Sequence, residues 1–512
     1  MKLQKIIREL PGKQHGYLLP PLLSGLFLIF AFPRFEQGYL AWVVLIPLIW
    51  VCLQVSPGRA FRAGFVYGLP INIYVNMYLA VVLYPYLPDA LATLAMILLF
   101  LYISLFYALF ALGTSLASRM GNPWFAALAV PSLWLLVEYV RSLGLLGYNV
   151  GYLGYTQWGY PFLLNIVSVF GYWGLPFLMV LFQSILVLYL LGKLRSRNLY
   201  ASTAVFGFLL AAGLLIPLFQ PVEKKGDPLQ TGLIQGNTHP EEIVDYSKDE
   251  VLNRYLDLTG QALEKEPELD LVVWPETVVR LDFSEEKKHL SEMVKLADKH
   301  EIDLLYGARV KKEDRLHNSI TLYSKNQEEL PVYHKHRLVP FVEYFPAEEL
   351  LNRILQLDLL LGSYTPGEEI TVFDLNGTNV AGVVCFESYF GDHMRLFARE
   401  GARHQFIVTN DAWFGESIGL EQHAQAAAIR AAESGTGVTQ VANSGITISF
   451  DYQGRELFRS GKNEQAVFTV PLDMAYRETI YTRFGDYFPA AWAAFLAIAT
   501  PLLRVKARRE SS

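Results

Sequence analysis

Charged residues are scarce in this chain. Only 18% of its 512 residues are charged, whereas 52% are hydrophobic and 14% are aromatic. A soluble domain usually carries about 25% charge, so the deficit points towards a membrane. The net charge is −6 and no basic stripe is present, which gives no reason to expect nucleic acid as a partner.

Cysteine is also scarce. There are 2 cysteines, and Cys52 lies in an apolar segment whereas Cys385 lies in a polar region much further along the chain. We do not expect them to meet, and hence predict no disulfide. If the second half of the chain is extracytoplasmic, Cys385 is an unpaired thiol in an oxidising compartment. Such a thiol is a liability unless it is buried or has a use.

Long apolar runs, in contrast, are plentiful. A helix needs about 20 residues to cross a bilayer. The runs of roughly this length are 16–33, 39–55, 64–86, 89–117, 123–140, 162–193, 199–220 and 487–504. They predict a polytopic α-helical bundle of about eight spans, in which the run 162–193 has the least certain ends because Gly171, Gly174 and Pro176 interrupt it.

The basic residues predict how the bundle is oriented. They form five clusters next to the apolar runs: Lys2, Lys5, Arg8 and Lys13; Arg59 and Arg62; Arg119; Lys193, Arg195 and Arg197; and Arg504, Lys506, Arg508 and Arg509. If the spans alternate, all five lie on one side, which the positive-inside rule makes the cytoplasm. The sequence thus predicts a bundle over 1–222, an extracytoplasmic domain over 223–481, and a final span with a cytoplasmic tail over 482–512. Both termini are then cytoplasmic, and the protein lies in the inner (cytoplasmic) membrane.

The segment 223–481 has the pattern of a layered α/β domain. Apolar strand patterns occur at Thr231–Gln235, Leu269–Trp274, Asp303–Ala308, Val380–Val384, Gln405–Thr409 and Gly445–Asp451. Helical patterns occur at Lys248–Lys265, Ser284–His300 and Gln422–Ser434. Strands that alternate with helices favour an α/β fold of about 250 residues.

Three reactive side chains follow strand patterns or lie in a short polar motif. Pro275 is expected to stop one strand, which leaves Glu276 at its end. Cys385 ends another strand, and Lys335 lies in the motif between them. A carboxylate can take the proton of a thiol, while an ammonium stabilises the thiolate and later an oxyanion. Spacing alone does not show that the three groups converge.

Together, these segments resemble the apolipoprotein N-acyltransferase family, which belongs to the nitrilase-like superfamily. The resemblance rests on Trp274-Pro275-Glu276, on the run 333–346 around Lys335, on Val384–Ser388, and on their order between apolar runs. Further matching positions are Gln235–Asn237, Asn410–Gly415, Gln422, His423, Arg430 and Glu433, with Trp134, Glu138 and Arg141 in the bundle.

The resemblance implies a nitrilase-like αββα sandwich and a role for each matching residue. Glu276 is then the general base, Lys335 the transition-state stabiliser and Cys385 the nucleophile. Glu343 and Glu387 support the triad, and the backbone N–H of Phe386 helps to hold the oxyanion. No metal or other cofactor is implied.

The resemblance also implies a ping-pong reaction. An acyl chain passes from a phospholipid to Cys385 as a thioester, and then to the α-amino group of the diacylglyceryl-cysteine of a lipoprotein. Candidate substrate contacts are Glu138, Arg141, Trp413 and Tyr246, the last being the nearest aromatic residue after Gln235–Asn237. Phe386, Val150 and the segment after Asn237 depart from the family pattern.

Several features have an ordinary alternative explanation. Glu138 and Arg141 are either a paired helix end or a contact to a lipid headgroup. The leucine-rich segment 350–361 is either a core helix or a lid that dips into the membrane. We interpret the tyrosine-rich segment 148–160 as an interfacial belt. His334 and His336 are spaced like metal ligands, but no third ligand stands out, which favours a surface or packing role.

Two other functions stay open at this stage. A membrane-tethered carbon–nitrogen hydrolase, acting on a polar amide, would release an amine without needing phospholipid. A catalytically idle membrane scaffold would not need the three reactive groups. Acyl transfer is favoured because a thioester must be kept from water until the amine arrives. Apolar spans before and after the domain give two lipid-bearing substrates a common plane.

Overall fold

A computed structural model describes residues 16–85, 87–144, 146–224, 226–238, 248–281, 286–325, 330–340, 342–344, 364–375 and 377–511. The chain divides into two compact units. The first comprises Met1–Phe219, Ser417–Gln422 and Phe484–Ser512, and the second comprises Gln220–Glu416 and His423–Arg483.

The first unit is helical. Its helices are α1 (Leu19–Leu28), α2 (Ile46–Cys52), α3 (Pro57–Asn76), α4 (Tyr78–Leu83), α5 (Asp89–Ser118), α6 (Pro123–Arg141), α7 (Pro161–Phe170), α8 (Gly174–Leu190) and α9 (Ser196–Leu215). Short 3₁₀ helices cover Gly16–Leu18, Ile29–Ala31, Gly38–Trp42, Leu153–Gln157 and Ile216–Phe219. The C-terminal helix, α15, covers Tyr487–Ser511.

Within the described residues, four helical segments are long and apolar enough to cross a membrane. They are Asp89–Ser118, Pro123–Arg141, Arg197–Phe219 and Tyr487–Val505. A fifth crossing is formed if α7 and α8 count as one span, although they meet at an angle of 105°. Gly171, with φ +69°, lies at this break, inside the run whose ends were hardest to predict. A membrane-type helical region is thus present, and the count of eight spans stays a prediction.

Small residues let two long helices of the first unit approach closely. A Cβ atom on Gly64 of α3 would lie 2.3 Å from the backbone oxygen of Tyr107 on α5. A Cβ on Gly68, one turn later, would lie 2.8 Å from the Tyr107 ring. Backbone contact through glycine is a common way for helices to associate in lipid. Moving an apolar side chain from the lipid into a helix interface gains little free energy, because both are apolar.

The second unit contains two six-stranded sheets. Its strands are β1 (Leu229–Gln235), β2 (Leu271–Leu281), β3 (Asp303–Lys312), β4 (Arg315–Tyr323), β5 (Val332–His334), β6 (Val372–Leu375), β7 (Thr378–Val384), β8 (His404–Thr409), β9 (Gly437–Ala442), β10 (Ile448–Phe450), β11 (Glu456–Arg459) and β12 (Ala466–Leu472). The first sheet has the order β12-β1-β2-β3-β4-β5, and the second has the order β11-β10-β9-β8-β7-β6. In each sheet three neighbouring strands are parallel, namely β1, β2 and β3 in one and β7, β8 and β9 in the other.

Helices separate many of these strands. They are α10 (Lys248–Lys265), α11 (Glu286–His300), α12 (Gly391–Arg399), α13 (Gly419–Ser434) and α14 (Ile480–Phe484). Apolar residues of α10 and α11, among them Tyr255 and Met293, pack against Trp274 and Leu304 of the first sheet. The two sheets pack on each other, for example through Ile320 of β4 and Gly382 of β7. The layered α/β architecture predicted from the sequence is confirmed.

One local prediction was wrong. Pro275 does not end its strand, because β2 continues to Leu281. Pairing with β3 is interrupted between Trp274, opposite Tyr306, and Val279, opposite Ala308. The prediction failed because a bulge removes the need for a donor at the proline, so the strand can resume beyond it.

Candidate active site

Cys385 lies at a sharp turn where β7 ends. The strand runs to Val384, and a 3₁₀ helix begins at Cys385 and ends at Tyr389. Cys385 has φ +49°, in the left-handed region that non-glycine residues rarely occupy. Such a conformation costs roughly 1–3 kcal/mol and persists only where neighbouring contacts enforce it. The turn presents the thiol beyond the edge of the sheet.

Glu276 lies in the bulge of β2. Gly307 of β3 makes room for this bulge, since a Cβ atom there would lie 2.4 Å from the Pro275 oxygen and 2.6 Å from the Glu276 Cα. Thr277, the next residue in the bulge, has φ +57°. The Glu276 carboxylate accepts hydrogen bonds from Asn318 Nδ2 (2.8 Å) and from the backbone N–H of Asn410 (3.0 Å). These contacts fix the carboxylate from both sheets.

Lys335 is buried and lies between two carboxylates. Its Nζ is 2.9 Å from Glu343 Oε2 and 3.8 Å from Glu276 Oε1. Asn318 Nδ2 also donates to Glu343 Oε1 over 2.9 Å, so one amide joins the two carboxylates. The Lys335 backbone N–H donates to the Asn318 carbonyl. Glu343 thus holds the ammonium, and its supporting role in catalysis stays a prediction.

Glu387 joins the turn at Cys385 to the segment that carries Lys335. Its Oε2 accepts from the Val384 N–H (3.0 Å), and its Oε1 accepts from the N–H groups of His336 (2.7 Å) and Arg337 (3.1 Å). Tyr333 donates its hydroxyl to the same Oε1 over 2.8 Å. The carboxylate is fully buried, and four donors satisfy it.

The pKa shifts follow from burial and from this charge arrangement. Burial raises the pKa of Glu276, which Lys335 only partly offsets. Burial and the Glu276 charge raise the pKa of the Cys385 thiol, while Lys335 acts to lower it. Burial would lower the pKa of Lys335, but Glu343 and Glu276 outweigh it and raise that pKa. Burial would raise the pKa of Glu387, yet His393 and Lys335 bring it down to about 2.

This arrangement suits proton transfer during attack. With its pKa raised, the thiol stays protonated until a carbonyl carbon approaches, and Glu276 is then the neighbouring group that can take the proton. Lys335 keeps its charge throughout and can face an oxyanion. Phe386 follows Cys385 in the turn, where its ring packs on Tyr389 and Phe390. The oxyanion role of its N–H stays a prediction.

Glu276, Lys335 and Cys385 lie in a segment that matches one family model, and the helical region matches a second, more specific one. Residues 230–481 match the family model "Carbon-nitrogen hydrolase", and residues 24–186 match "Apolipoprotein N-acyltransferase N-terminal domain". The apolipoprotein N-acyltransferase of Geobacter metallireducens is 30% identical over 502 residues, which cover 96% of this chain and 95% of that protein. That of Azotobacter vinelandii is 30% identical, with 95% of each chain covered.

The chain belongs to the apolipoprotein N-acyltransferase family. Membership confirms the predicted class of enzyme, an acyltransferase with a carbon–nitrogen hydrolase domain. Among solved structures, yeast Nit3, from Saccharomyces cerevisiae, is similar with a TM-score of 0.39 and 17% identity, over 48% of this chain and 91% of Nit3. An amidase from Nesterenkonia sp. has a TM-score of 0.38 and 17% identity, over 52% of this chain and 97% of the amidase.

Not every predicted site residue of this acyltransferase reaches the triad. Trp413 is partly buried in the 3₁₀ helix Asp411–Phe414, directly after Asn410, which contacts Glu276. Tyr246 and the leucine-rich segment 350–361 lie outside the described residues. His334 contacts Ser319 Oγ (2.7 Å) and His336 contacts the Glu369 carbonyl (2.9 Å), which agrees with a packing role.

Glu138 and Arg141 lie on α6 in the first unit, and both side chains are buried. Glu138 accepts from the Leu153 N–H (3.2 Å) and from the Tyr172 hydroxyl (3.2 Å). The Arg141 guanidinium lies 4.2 Å from the centre of the Tyr152 ring. The pair therefore anchors the segment after α6, and its predicted contact to lipid stays a prediction. The interpretation of segment 148–160 as an interfacial belt was wrong for Tyr152 and Tyr155, whose side chains are only 1% and 5% exposed.

Among the described residues one group has the composition of a metal site. The ligand atoms of Cys385, Asp411 and His423 lie within 4.8 Å of one another. His423 Nδ1 is 2.9 Å from Asp411 Oδ1, so these two side chains already form a hydrogen bond with each other. We therefore assign the group to a hydrogen-bonding network behind the thiol.

Sequence reasoning gave no role to Asn318, Thr409, Asp411 or His423, all of which contact the triad or one another. Asn318 could have been found, because it is a polar residue in the middle of a buried strand. Asp411 and His423 match family positions, which by itself assigns them no role. Their pairing could not be predicted, since it depends on how α13 packs and not on spacing.

Proposed function

We propose that this enzyme acylates lipoproteins by a two-step reaction through a thioester on Cys385. Membership of the apolipoprotein N-acyltransferase family makes lipoprotein N-acylation its function. The proposal adds the donor, a phospholipid, the acceptor, the α-amino group of a diacylglyceryl-cysteine, and the roles of the triad residues.

In the first step the thiol attacks the ester carbonyl of the phospholipid. The Sγ–C bond forms as the thiol proton moves to Glu276, and Lys335 with the Phe386 N–H holds the oxyanion. The carbon–oxygen bond then breaks, and Glu276 returns the proton to the departing lysophospholipid oxygen. Cys385 is left as a thioester.

In the second step the lipoprotein amine attacks the thioester. Glu276 takes a proton from the attacking nitrogen, and the carbon–sulfur bond breaks to leave an N-acyl lipoprotein. The proton then passes to the sulfur, which restores the resting thiol. Glu276 thus accepts and returns one proton in each step, and the enzyme ends in its starting state.

The membrane arrangement is proposed on the same basis. The chain crosses the inner membrane about eight times, with 1–222 as the bundle, 223–481 as an extracytoplasmic domain and 482–512 as the last span and tail. The five basic clusters support cytoplasmic termini. Lipid donor and lipid-anchored acceptor would then diffuse in one plane.

The observation that carries the proposal is the placement of buried Lys335 between Glu276 and Glu343, next to a cysteine at a strained turn. To test it, the purified enzyme is incubated with phospholipid vesicles alone, and intact mass is measured. We expect an added acyl mass that hydroxylamine removes, and no adduct on Cys385→Ser. Absence of an adduct with every donor tried would contradict acyl transfer.

The alternative is a membrane-tethered carbon–nitrogen hydrolase, which the matching domain model over 230–481 supports. It predicts amine release from a polar amide without phospholipid. The two functions are distinguished by adding an amine acceptor to the acylated enzyme. Transfer to the amine supports the acyltransferase, whereas loss of the acyl group to water at the same rate supports the hydrolase.

A further inference from the structure

The residues at the end of β8 contact both the proposed base and the proposed nucleophile. Asn410 donates its backbone N–H to Glu276 Oε2 over 3.0 Å. The Cys385 Sγ lies within 4.8 Å of ligand atoms of Asp411 and His423, and a hydrogen bond from Thr409, one residue before Asn410, acts to lower the pKa of the thiol. Asp411, one residue later, contacts His423 and Thr409. Three consecutive residues therefore connect the two groups between which the proton must pass.

His423 holds the backbone of the strained turn. Its Nε2 is 3.2 Å from the Cys385 carbonyl oxygen and 3.0 Å from Ser388 Oγ. Its Nδ1 is 2.9 Å from Asp411 Oδ1. The Asp411 carboxylate only accepts hydrogen bonds, so Nδ1 donates to it, and Nε2 can donate to the Cys385 carbonyl. Burial would lower the pKa of His423, but the Asp411 charge outweighs it and raises that pKa. The contact to the Cys385 carbonyl thus holds the backbone of the residue whose φ is +49°.

The Thr409 hydroxyl has one hydrogen and two partners. Its Oγ1 is 2.7 Å from Asp411 Oδ1, to which it donates while the thiol is protonated. When the thiol gives up its proton, the same hydroxyl can turn and donate to the thiolate. Asp411 keeps the His423 contact during this change, and Gln440 Nε2 lies 3.5 Å from its other oxygen.

The network is built into the core of the domain. Thr409, Asp411 and His423 are each at most 1% exposed. Gly445 lies directly against Asp411 with φ +116°, and a Cβ atom there would come within 2.7 Å of the Asp411 Cβ. Among the contacts that the structure describes, Thr409, Asp411 and His423 bond to other buried groups and to no exposed charge. Their geometry is therefore fixed before the substrate arrives.

We propose that the segment Thr409–Asp411, together with His423, positions Cys385 for attack and sets its distance from the base. This inference rests on the proposed acyl transfer, because it assigns residues that act through Cys385. Thr409 orients the sulfur, and the Asp411–His423 pair holds the backbone. None of them touches the acyl group.

The test compares acylation rates of the full-length enzyme in mixed phosphatidylethanolamine–phosphatidylglycerol vesicles under single-turnover conditions. Thr409→Val keeps the shape of the side chain and removes the hydroxyl. We expect the plateau rate of acylation to fall roughly 10- to 100-fold, as misplaced nucleophiles do. The lipid concentration that gives half the plateau should stay unchanged, and Thr409→Ser should restore most of the rate.

Thr439→Val is the matched control. It removes a buried threonine hydroxyl from the neighbouring strand β9, where the hydroxyl contacts His404 and Ser449 instead of the thiol. It should lower stability without changing the acylation rate. If Thr409→Val acylates as fast as Thr439→Val, the inference is overturned. If Thr409→Val does not fold, His423→Gln is judged by the same comparison.

Alkylation of Cys385 by iodoacetamide separates this inference from the proposed function. The reaction needs the thiolate but no acyl donor, so we expect Thr409→Val to slow it by a similar factor. If Thr409→Val is alkylated slowly and the wild-type enzyme forms no acyl adduct, the result supports the network and contradicts acyl transfer. Wild-type alkylation and acylation rates in Thr409→Val would contradict the network alone.

Discussion

At the scale of single residues, the proposed mechanism depends on the protonation state of Glu276. Burial raises its pKa, and a protonated carboxyl cannot accept the thiol proton. Acylation should therefore slow as the pH falls through this raised pKa and should level off above it. The measurement is the single-turnover acylation rate as a function of pH. A rate that does not change across the acidic range would contradict the assignment of Glu276 as base.

Glu276→Gln tests the same residue by substitution. The amide keeps the shape but cannot take a proton, so we expect acylation to fall by roughly 10²–10⁴-fold. Thermal stability should change little, because Glu343 still pairs with Lys335 and the amide oxygen can still accept a hydrogen bond. Asp392→Asn serves as a control, since it alters only a partly exposed ion pair with Arg337. Equal acylation by both variants would exclude Glu276 as the base.

His404 makes the stability of the second unit depend on pH. Burial lowers its pKa to about 3, whereas an unfolded histidine titrates near 6.5. Between these values the unfolded chain binds more protons, so the free energy of unfolding falls as the pH falls. The expected loss is about 2–3 kcal/mol by pH 4.5. His404→Gln should reduce this slope in thermal unfolding of the purified enzyme, and an unchanged slope would contradict the assignment.

At the scale of secondary structure, the bulge in β2 depends on a glycine in the neighbouring strand. Gly307→Ala would place a Cβ atom against Pro275 and the Glu276 backbone. Because the bulge carries Glu276, the proposed base, we expect a roughly 10- to 100-fold loss of acylation. Gly260→Ala on α10 is the matched control, since a Cβ there meets open space. It should stabilise the protein by about 0.5–1 kcal/mol and leave acylation unchanged. Normal acylation by Gly307→Ala would show that the bulge tolerates displacement.

Glu387 tests how firmly two elements are joined. Glu387→Gln replaces one oxygen with a donor in a site where four donors converge. We expect a loss of roughly 3 kcal/mol in the free energy of unfolding, measured by denaturant titration. In the wild type this contribution is present above pH ~4.3 and is lost as the pH falls towards 2. A loss below 1 kcal/mol would mean that the Glu387 contacts between the Cys385 turn and the Lys335 segment contribute little to stability.

Much of this domain could be predicted from its sequence, for reasons visible in particular elements. The apolar run before Cys385 matches β7 to its last residue, because a buried strand needs an uninterrupted apolar stretch. The helix Lys248–Lys265 has the bounds that its amphipathic pattern predicts. The strand end predicted at Pro275 was wrong, because whether a proline ends a strand depends on its pairing with the neighbouring strand. The Asp411–His423 pair joins a loop to a helix, and a contact of this kind cannot be predicted from the local sequence.

At the scale of the whole molecule, the basic clusters predict which parts of the chain face the cytoplasm. In a Cys52→Ala, Cys385→Ala background, single cysteines are placed at Gly58 and at Lys462, both in exposed positions. A membrane-impermeant maleimide should label Lys462→Cys in intact spheroplasts and Gly58→Cys only after permeabilisation. Labelling of both before permeabilisation, or the reverse order, would contradict the proposed topology.

The pairing of β1 with β12 has a consequence for protein engineering. These are the first and last strands of the second unit, and they run antiparallel from Leu229 opposite Leu472 to Gln235 opposite Ala466. Glu223 and Tyr476 continue the contact outwards. The two ends of the sheet-forming segment therefore lie side by side, which is the arrangement that allows a domain to be excised or transplanted with its ends already together.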